Sequence, residues 1–362
     1  MNSSNLMVAS QQWATRPQDQ RFTTLEDLAA NVSARRLRSR SRDINVGELG
    51  VKLLDSGELV INSAISAASP THWSFGQFAA TVGAPGAYLR TLSPELAAAN
   101  LNYGLKHTPV RGQNKFMVLT NPDGGPNTLQ AVTSPTYGRI WDADCVASVQ
   151  RIVERSGGKF FNPPAYNRQT GQPEGSGLYA SDHDVFMFLI DGGSRLDAGP
   201  RAQLNRGFIC WNSETGARTF GLMTFLFNEV CGNHIIWGEQ NVNQLIIRHS
   251  AGGPGRFDGD AMPTLRAYCD AQAGPELATI KRAQQRLLPA DETELNALLA
   301  PFKFTRSEVS EAVKSAEREE GGCRTVWDLV QGFTAYARDF DYVDARVDLE
   351  KRAGKLLELV AE

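Results

Sequence analysis

The chain has 362 residues, of which 41% are hydrophobic, which is enough to bury the core of one large domain or two smaller ones. Its formal net charge of −3 provides no overall attraction to nucleic acid, so such binding would need a local basic patch. No apolar run reaches the ~18–20 residues of a membrane span, and residues 1–20 lack a signal-peptide pattern. We therefore expect a soluble, cytoplasmic protein.

The cysteines also bear on the compartment. Their number is odd, they are scattered, and no two form a CxxC pair, which favours reduced thiols over a disulfide framework or a zinc finger. The five are Cys145, Cys210, Cys231, Cys269 and Cys323.

The first elements follow a polar start. Residues 1–20 are aperiodic and predict a flexible tail. A short helix is predicted next, with Thr24 as its N-cap and with Leu25, Leu28 and Val32 on one face. Two apolar runs then flank residues 55–57, Asp-Ser-Gly, and this pattern is typical of a β-hairpin.

A helical block follows the first hairpin. Its spacing predicts a helix to about Val82, a turn over residues 83–85, a short second helix, and a third helix that begins with Ser93 as cap and Pro94 at its first position. The first two helices resemble a helix-turn-helix, but the second offers few residues that could read bases, so an ordinary helical hairpin is favoured. A second β-hairpin, with its turn at residues 122–126, precedes an amphipathic helix over Asp142–Arg155.

The middle third, residues 159–250, is rich in Phe, Ile, Val and Trp and predicts an antiparallel sheet. The glycine-rich AGGPGRFDGD is predicted to be a connecting loop, and helices are predicted near 260–288, 291–300, 306–320, 325–339 and 341–361. The class is therefore α+β: an antiparallel sheet core with hairpins and helices, closed by a helical C-terminal third. We divide the chain into a flexible tail (1–20), an α+β core (21–255), and a helical region (256–362) that packs on the core.

A run of arginines is the first candidate binding feature. Arg36, Arg38, Arg40 and Arg42 recur at every second residue, so all four would project from one face if the segment is extended. Such a row could meet phosphates at nucleotide spacing, and arginine also stacks on the exposed bases of single strands. The alternative is an edge strand that its charges protect from aggregation.

Polar residues inside the apolar segment 218–249 are the second candidate. Buried polar groups that lack hydrogen bonds cost roughly 1–3 kcal/mol each, so we predict a structural polar network rather than a metal or nucleophile site. Cys231 and His234, with His249 and His183, offer ligands that zinc prefers, but there is no second closely spaced pair. The residues of this network are Asn228, Cys231, Asn233, His234 and His249.

Asp182–His183–Asp184 offers two carboxylates and an imidazole in a row. If the tripeptide lies in a strand, both carboxylates face one side and the imidazole faces the other, which argues against a proton relay among them. There is also no GxxxxGK[ST] loop and no GxGxxG after a strand. We therefore predict no catalytic residues, no cofactor and no metal.

Four blocks together resemble a known family. FGQFAATVGAPGAYLRTLSPELAAANLNYGL is similar to its early helical block, and SPTYGRIWDADCVASV to its Ser-x-x-Tyr strand and helix. NSETGARTFGLMTFLFNEVCGNHIIWG with IIRHS is similar to its core block, and TVWDLVQGFTAYARDFDYVDARVDLEKRAGKLLE to its closing helices. The chain thus resembles the phage/plasmid-like proteins of unknown function that bacteriophages, prophages and plasmids encode. One departure is Glu214–Thr215, where the family usually has His-Asp.

The resemblance implies a role in phage recombination or DNA processing and a remote relation to single-strand annealing proteins. We therefore expect a non-enzymatic accessory of a phage or mobile element that binds or anneals single-stranded DNA in the cytoplasm of a bacterial host. The arginine run is the first-choice surface, and Tyr137, Arg139 and Arg248 form the second choice.

Two alternatives stay open. One is a factor that blocks or redirects a host system by binding a host protein. The other is a metal-dependent hydrolase or nuclease that uses Asp182, His183, His234 and His249. A homo-oligomer is a further expectation, because the apolar stripe over residues 325–362 exceeds what one terminal helix can readily cover, although such stripes more often face their own core.

Overall fold

In the computed structural model, two main sheets carry the helices. The predicted tail lies mostly outside the described residues, but Gln18–Gln20 form a single 3-10 turn. The structure describes residues 17–62, 67–107, 113–157, 159–161, 164–166, 173–193, 196–199, 202–228, 233–235, 244–271, 274–337 and 343–360.

The smaller sheet has six strands within the described residues, in the order β2-β6-β7-β5-β4-β3. Both predicted hairpins are confirmed as the antiparallel pairs β3–β4 and β6–β7. This sheet is mixed, because β5 and β7 run parallel. The strands are β2 (Ser39–Asn45), β3 (Gly50–Leu53), β4 (Leu59–Asn62), β5 (Ala67–Pro70), β6 (Gln113–Leu119) and β7 (Asn127–Thr133).

The larger sheet forms the predicted antiparallel core from the middle third. Its main path is β1-β11-β12-β14-β15-β16, with β8, β13 and β17 attached at its sides. A separate pair, β9–β10, runs antiparallel. The strands of the larger sheet are β1 (Arg21–Phe22), β8 (Phe160–Phe161), β11 (Leu178–Ala180), β12 (Val185–Asp191), β13 (Leu196–Asp197), β14 (Gln203–Asn212), β15 (Phe220–Asn228), β16 (Asn233–Ile235) and β17 (Gln244–Ile247). Those of the separate pair are β9 (Pro164–Tyr166) and β10 (Pro173–Ser176).

The helices confirm the α+β class. Two expectations were wrong: the glycine-rich segment is helical, with a π-helical stretch over Phe257–Ala261, and the helix predicted over 260–288 is interrupted after Asp270. The helices are α1 (Leu25–Arg38), α2 (His72–Thr81), α3 (Gly86–Leu89), α4 (Pro94–His107), α5 (Asp142–Arg155), α6 (Gly253–Arg256), α7 (Met262–Asp270), α8 (Gly274–Gln285), α9 (Glu292–Leu299), α10 (Arg306–Glu320), α11 (Val326–Ala337) and α12 (Val343–Lys355).

Helix α1 corrects the expectation of one extended arginine row. Thr24 caps it as predicted, accepting a hydrogen bond from the Asp27 amide, but the helix continues through Arg38. Arginine and leucine are good helix formers, so nothing in the sequence RRLR ends a helix that has already begun. The helix ends where the Ser39 hydroxyl donates to the Arg35 carbonyl, and only then does the chain become extended.

The two sheets are connected twice by the chain. Helix α1 packs in the core of the larger sheet through Leu25, Leu28 and Val32 and leads into β2 of the smaller sheet. Strand β7 of the smaller sheet leads into α5, whose Val146 and Val149 lie in that same core. Helices α2 and α4 instead cover the smaller sheet. The connections between the sheets therefore pass through the C-terminus of α1 and the N-terminus of α5.

The C-terminal helices pack on one end of the larger sheet. Their apolar side chains form one cluster with residues such as Leu204 and Leu226 of β14 and β15. Val326, Leu329 and Phe333, from the stripe that suggested self-association, are buried in this cluster. Within the described part of the chain, no helix is both long and apolar enough to span a bilayer.

The contact between α10 and α11 depends on a glycine. A Cβ atom on Gly332 would overlap the Ala312 carbonyl oxygen and lie 2.9 Å from the Ala316 Cβ. We expect Gly332→Ala to destabilise the protein by about 1–3 kcal/mol in denaturant unfolding, because close-packed cores resist added volume. Gly255→Ala is the control, since nothing lies within 4 Å of its added Cβ. Equal stability of the two variants would contradict close packing of α10 on α11.

Candidate functional site

The turn between β14 and β15, Asn212–Gly216 (sequence NSETG, the NSETG turn), lies where the two sheets meet. Its side chains and carbonyls bond to four other segments: the end of α1, the turn before β12, helix α2, and residues 137–142 before and within α5. From the sequence, only Glu214–Thr215 was marked here, as a departure from the family pattern, and nothing indicated that this turn organises contacts between the sheets.

Glu214 is the charged residue of this turn, and it is almost fully buried. Its Oε1 lies 3.2 Å from Nη2 of Arg35, whose side chain is only 14% exposed. Its Oε2 accepts a hydrogen bond of 3.0 Å from the backbone amide of Asp142, the first residue of α5. The carboxylate thus pairs with a partly buried arginine and satisfies the positive end of a helix that lacks a side-chain cap of its own.

A second buried carboxyl, Asp142, contacts the same arginine. Its Oδ2 is 3.7 Å from Arg35 Nη2, and its Oδ1 accepts a hydrogen bond of 2.8 Å from the side-chain amide of Asn212. Burial raises the pKa of Asp142 well above its ordinary value; the charge of Glu214 raises it further, and Arg35 opposes both. Burial thus disfavours a charge on Asp142, and the shorter contact, at 3.2 Å, makes Glu214 the main ionic partner of Arg35.

Arginine and aromatic side chains form a row beside the turn. The Arg36 guanidinium lies 3.8 Å from the centre of the Trp141 ring, and Arg139 lies 5.4 Å from the same ring. Arg139 also lies 5.2 Å from the Tyr137 ring, which stacks on His249 at 5.0 Å. We call these five residues the arginine–aromatic row.

The NSETG turn holds the inner part of this row in place. Arg139 donates to the Glu214 carbonyl, and the Tyr137 hydroxyl donates 3.1 Å to the Ser213 carbonyl. Burial lowers the pKa of Arg139, with Tyr137 and Glu214 acting against this effect. Burial also lowers the pKa of His249 to about 4, so this imidazole is neutral at pH 7 and contributes no cation.

A cleft of about 310 Å³ opens along the outer part of the row. This volume is at the lower end of the ~300–1,000 Å³ typical of small-ligand sites. The cleft has three cationic side chains and one carboxylate, and β2, β6 and the segment before α5 contribute its walls. Its lining consists of Ser41, Arg42, Asp43, Lys115, Tyr137, Gly138, Arg139 and Trp141.

The predicted arginines divide between two elements. Arg36 and Arg38 lie on the last turn of α1, whereas Arg40 and Arg42 lie on β2, where alternation puts them on one face. Arg38, Arg40 and Arg42 are exposed, and Arg36 is half-buried against Trp141. We call the three exposed residues the basic edge, because β2 is an outer strand of the smaller sheet.

The second-choice surface is only partly assembled in one place. Tyr137 and Arg139 line the cleft, but Arg248 is exposed and does not contribute to the lining. Lys115 contributes although no pattern in the sequence marked it, and its ammonium donates 3.1 Å to the Tyr137 carbonyl. Its position opposite Asp43 in the β2–β6 ladder could be found only from the strand register.

Most of the predicted polar network lies outside the residues and side chains that the structure describes. Cys231 is not among the described residues, and the side chains of Asn228, Asn233 and His234 are not described, so the network stays a prediction there. His249 is described, and it packs on Tyr137 in the arginine–aromatic row.

The tripeptide Asp182–His183–Asp184 lies in a turn and not in a strand, which overturns the expected separation of its side chains. Asp182 Oδ1 is 2.6 Å from His183 Nδ1, because the turn lets neighbouring side chains meet. Across the residues that the structure describes, no three His, Cys, Asp or Glu side chains are arranged to hold a metal ion.

Comparisons of the chain with protein-family models, curated proteins and solved structures find no match. The resemblance to the phage/plasmid-like family therefore stays a prediction that rests on the four sequence blocks. The features of the structure that bear on function are the cleft and the basic edge.

The two buried carboxyls should respond differently to neutral substitution. Glu214→Gln replaces a buried carboxylate that pairs with a partly buried arginine and should cost roughly 2–4 kcal/mol in denaturant unfolding at pH 7. Asp142→Asn keeps the oxygen that accepts from Asn212 and removes only a charge that burial disfavours, so we expect a loss below about 1 kcal/mol.

The pH dependence provides a second check on Asp142. Its folded pKa is raised, so folding takes up a proton between the ordinary value of 3.8 and the folded value. This contribution to stability is full below pH 3.8 and is lost as the pH rises through the folded pKa. Asp142→Asn should remove this pH-dependent loss of unfolding free energy. If the variant instead keeps the wild-type dependence of unfolding free energy on pH, the pKa of Asp142 is not raised by folding.

Proposed function

We propose that this protein binds single-stranded DNA through the cleft and the basic edge, as a non-enzymatic DNA-processing accessory. The observation that carries the proposal is the contact of Arg36 with Trp141 beside a cleft that Arg42, Lys115 and Arg139 line. Cationic groups next to partly exposed planar side chains are the combination that single strands require, because each nucleotide presents both a phosphate and a base.

The electrostatic support is local. The chain as a whole carries a charge of −3, yet the cleft has three cations against the single carboxylate of Asp43. Arg38 and Arg40 lie on the adjoining chain and are exposed. Such a cluster can attract phosphates although the protein as a whole does not, since surface charges further away than about 10 Å are screened at ordinary salt.

The stacking support comes from Arg36 and Trp141. Trp141 is partly exposed, and a guanidinium plane that lies on an aromatic ring can itself stack on a base. Stacking accepts any base, so we expect little sequence preference. An unstacked strand offers its base faces more cheaply than a duplex does, which favours single-stranded DNA.

The biological setting follows from the sequence resemblance. We place the protein in a phage or other mobile element and in the cytoplasm of its bacterial host, where the DNA lies. Cys145, Cys210, Cys269 and Cys323 are free thiols, in keeping with that compartment. Self-association stays part of the proposal, but its proposed stripe is largely buried within the chain's own core.

A second candidate function is binding to a host protein, and one observation favours it. Leu96 and Tyr103 on α4 are 59% and 67% exposed, and their spacing of seven residues puts them on one face of the helix. Salt dependence separates the two functions, because DNA affinity should fall steeply with salt whereas an apolar protein contact need not.

The basic edge can be tested by removing its three arginines together. Arg38→Ser/Arg40→Ser/Arg42→Ser should weaken binding to a fluorescent oligothymidine in anisotropy titrations. The plot of log binding constant against log salt concentration should be less steep by about 2, since each lost phosphate contact removes ~0.7 from the magnitude of its slope.

The matched control is Arg256→Ser/Arg306→Ser/Arg318→Ser. It makes the same change in net charge at three exposed arginines of the C-terminal helices. We expect it to keep the wild-type slope. A folded basic-edge variant whose salt slope equals that of the control would refute the proposed surface.

A further inference from the structure

One large apolar side chain is exposed among the arginines. Leu37 lies in the last turn of α1 and is 75% exposed, whereas Leu25, Leu28 and Val32 of the same helix are buried. A lone exposed leucine is common on protein surfaces, so its exposure alone would carry no argument. Its neighbours distinguish it.

The neighbours of Leu37 are cationic. Arg36 and Arg38 flank it in the chain, and the Arg40 guanidinium donates 2.7 Å to the Leu37 carbonyl. Arg40 is thereby held at the end of the helix that presents Leu37. Leu37 is therefore an exposed apolar residue in a segment that has exposed or half-exposed arginines on both sides of it.

The charges decide which partner fits. A second copy of the chain on this surface would bring like arginines together, and like charges at close range are costly. A polyanion with apolar surface between its charges is complementary, and nucleic acid has this composition because base faces alternate with phosphates along the strand. DNA-binding proteins use leucine and similar side chains as wedges between adjacent bases.

We propose that Leu37 inserts between two adjacent bases of the bound strand, while Arg38 and Arg40 contact the flanking phosphates. This inference rests on the proposed function and adds a means of selecting single strands. Separating stacked bases costs a few kcal/mol per step in a duplex and less in a single strand, where stacking is already incomplete. The wedge therefore favours strands whose bases are free to part.

The test uses the full chain and an oligodeoxynucleotide that contains 2-aminopurine, whose fluorescence rises when it loses its stacking neighbours. Wild-type protein should raise this fluorescence on binding. Leu37→Ala should abolish most of the rise and weaken affinity roughly fivefold, a loss of about 1 kcal/mol. Its salt slope should stay that of the wild type, because no phosphate contact is lost.

Leu287→Ala is the matched control, since Leu287 is 73% exposed and lies far along the chain, in the C-terminal third. It should leave both the fluorescence and the affinity unchanged. If Leu37→Ala gives the wild-type fluorescence rise while the basic-edge variant loses affinity, the wedge is wrong and the proposed function stands.

A wild-type protein that does not bind the oligonucleotide would overturn both proposals. Vesicles of phosphatidylcholine with phosphatidylserine form a separate arm of the test. Binding to these vesicles without binding to DNA would show that Leu37 and its arginines contact an anionic lipid surface, which also overturns the wedge.

Discussion

The ion pair between Arg35 and Glu214 is the contact on which the rest of this structure depends. It joins the end of α1 to the NSETG turn, and the same carboxylate accepts the first amide of α5. Breaking the pair would leave the buried Glu214 carboxylate and the mostly covered Arg35 uncompensated at a high cost in free energy, so the pair fixes where α1 ends relative to the larger sheet. Both chain connections between the sheets pass beside this pair, at the end of α1 and the start of α5.

The candidate binding surface follows from that constraint. Where α1 ends against the NSETG turn, the chain enters β2, and Leu37, Arg38 and Arg40 are presented at the junction. The carbonyls of the same turn hold Arg139 and Tyr137 along the floor of the cleft. The interior of the junction therefore contains an ion pair and a carboxyl whose pKa is raised by burial, whereas its exterior has the exposed Arg38 and Arg40. This separation explains how a chain with a net negative charge can present a basic surface.

Local signals in the sequence predicted most elements of the fold. The Thr24 cap, the residue 55–57 turn and Pro94 at a helix start all act within a few residues, and each is confirmed. The prediction of one extended arginine row was wrong. It took the two-residue spacing of the arginines as a sign of a strand, although nothing in the sequence ends the helix that Thr24 caps before Ser39. The prediction of a loop at the glycine-rich segment was also wrong. Residues 253–261 are helical despite the low helix propensity of glycine, and Phe257 and Ala261 are buried in the core of the larger sheet.

The site could be predicted only in part. Tyr137 and Arg139 were chosen from sequence and do line the cleft, but Lys115 reaches it only through strand register. Glu214 was noted as a departure from a family pattern, and its ionic role depends on Arg35, which lies 179 residues away in the sequence. Such partners are set by tertiary contacts, for which a single sequence carries no periodic or local signal.

Hydrogen exchange measured by mass spectrometry at low denaturant tests the central claim most directly, because it reports the opening of each sheet separately. In the wild type, the most protected amides of β6–β7 and of β12–β14 should open with one common free energy. In Glu214→Gln, the β6–β7 amides should open at a lower free energy than those of β12–β14. Separate opening of the two sheets in the wild type, or no selective loss in the smaller sheet of the variant, would contradict the account.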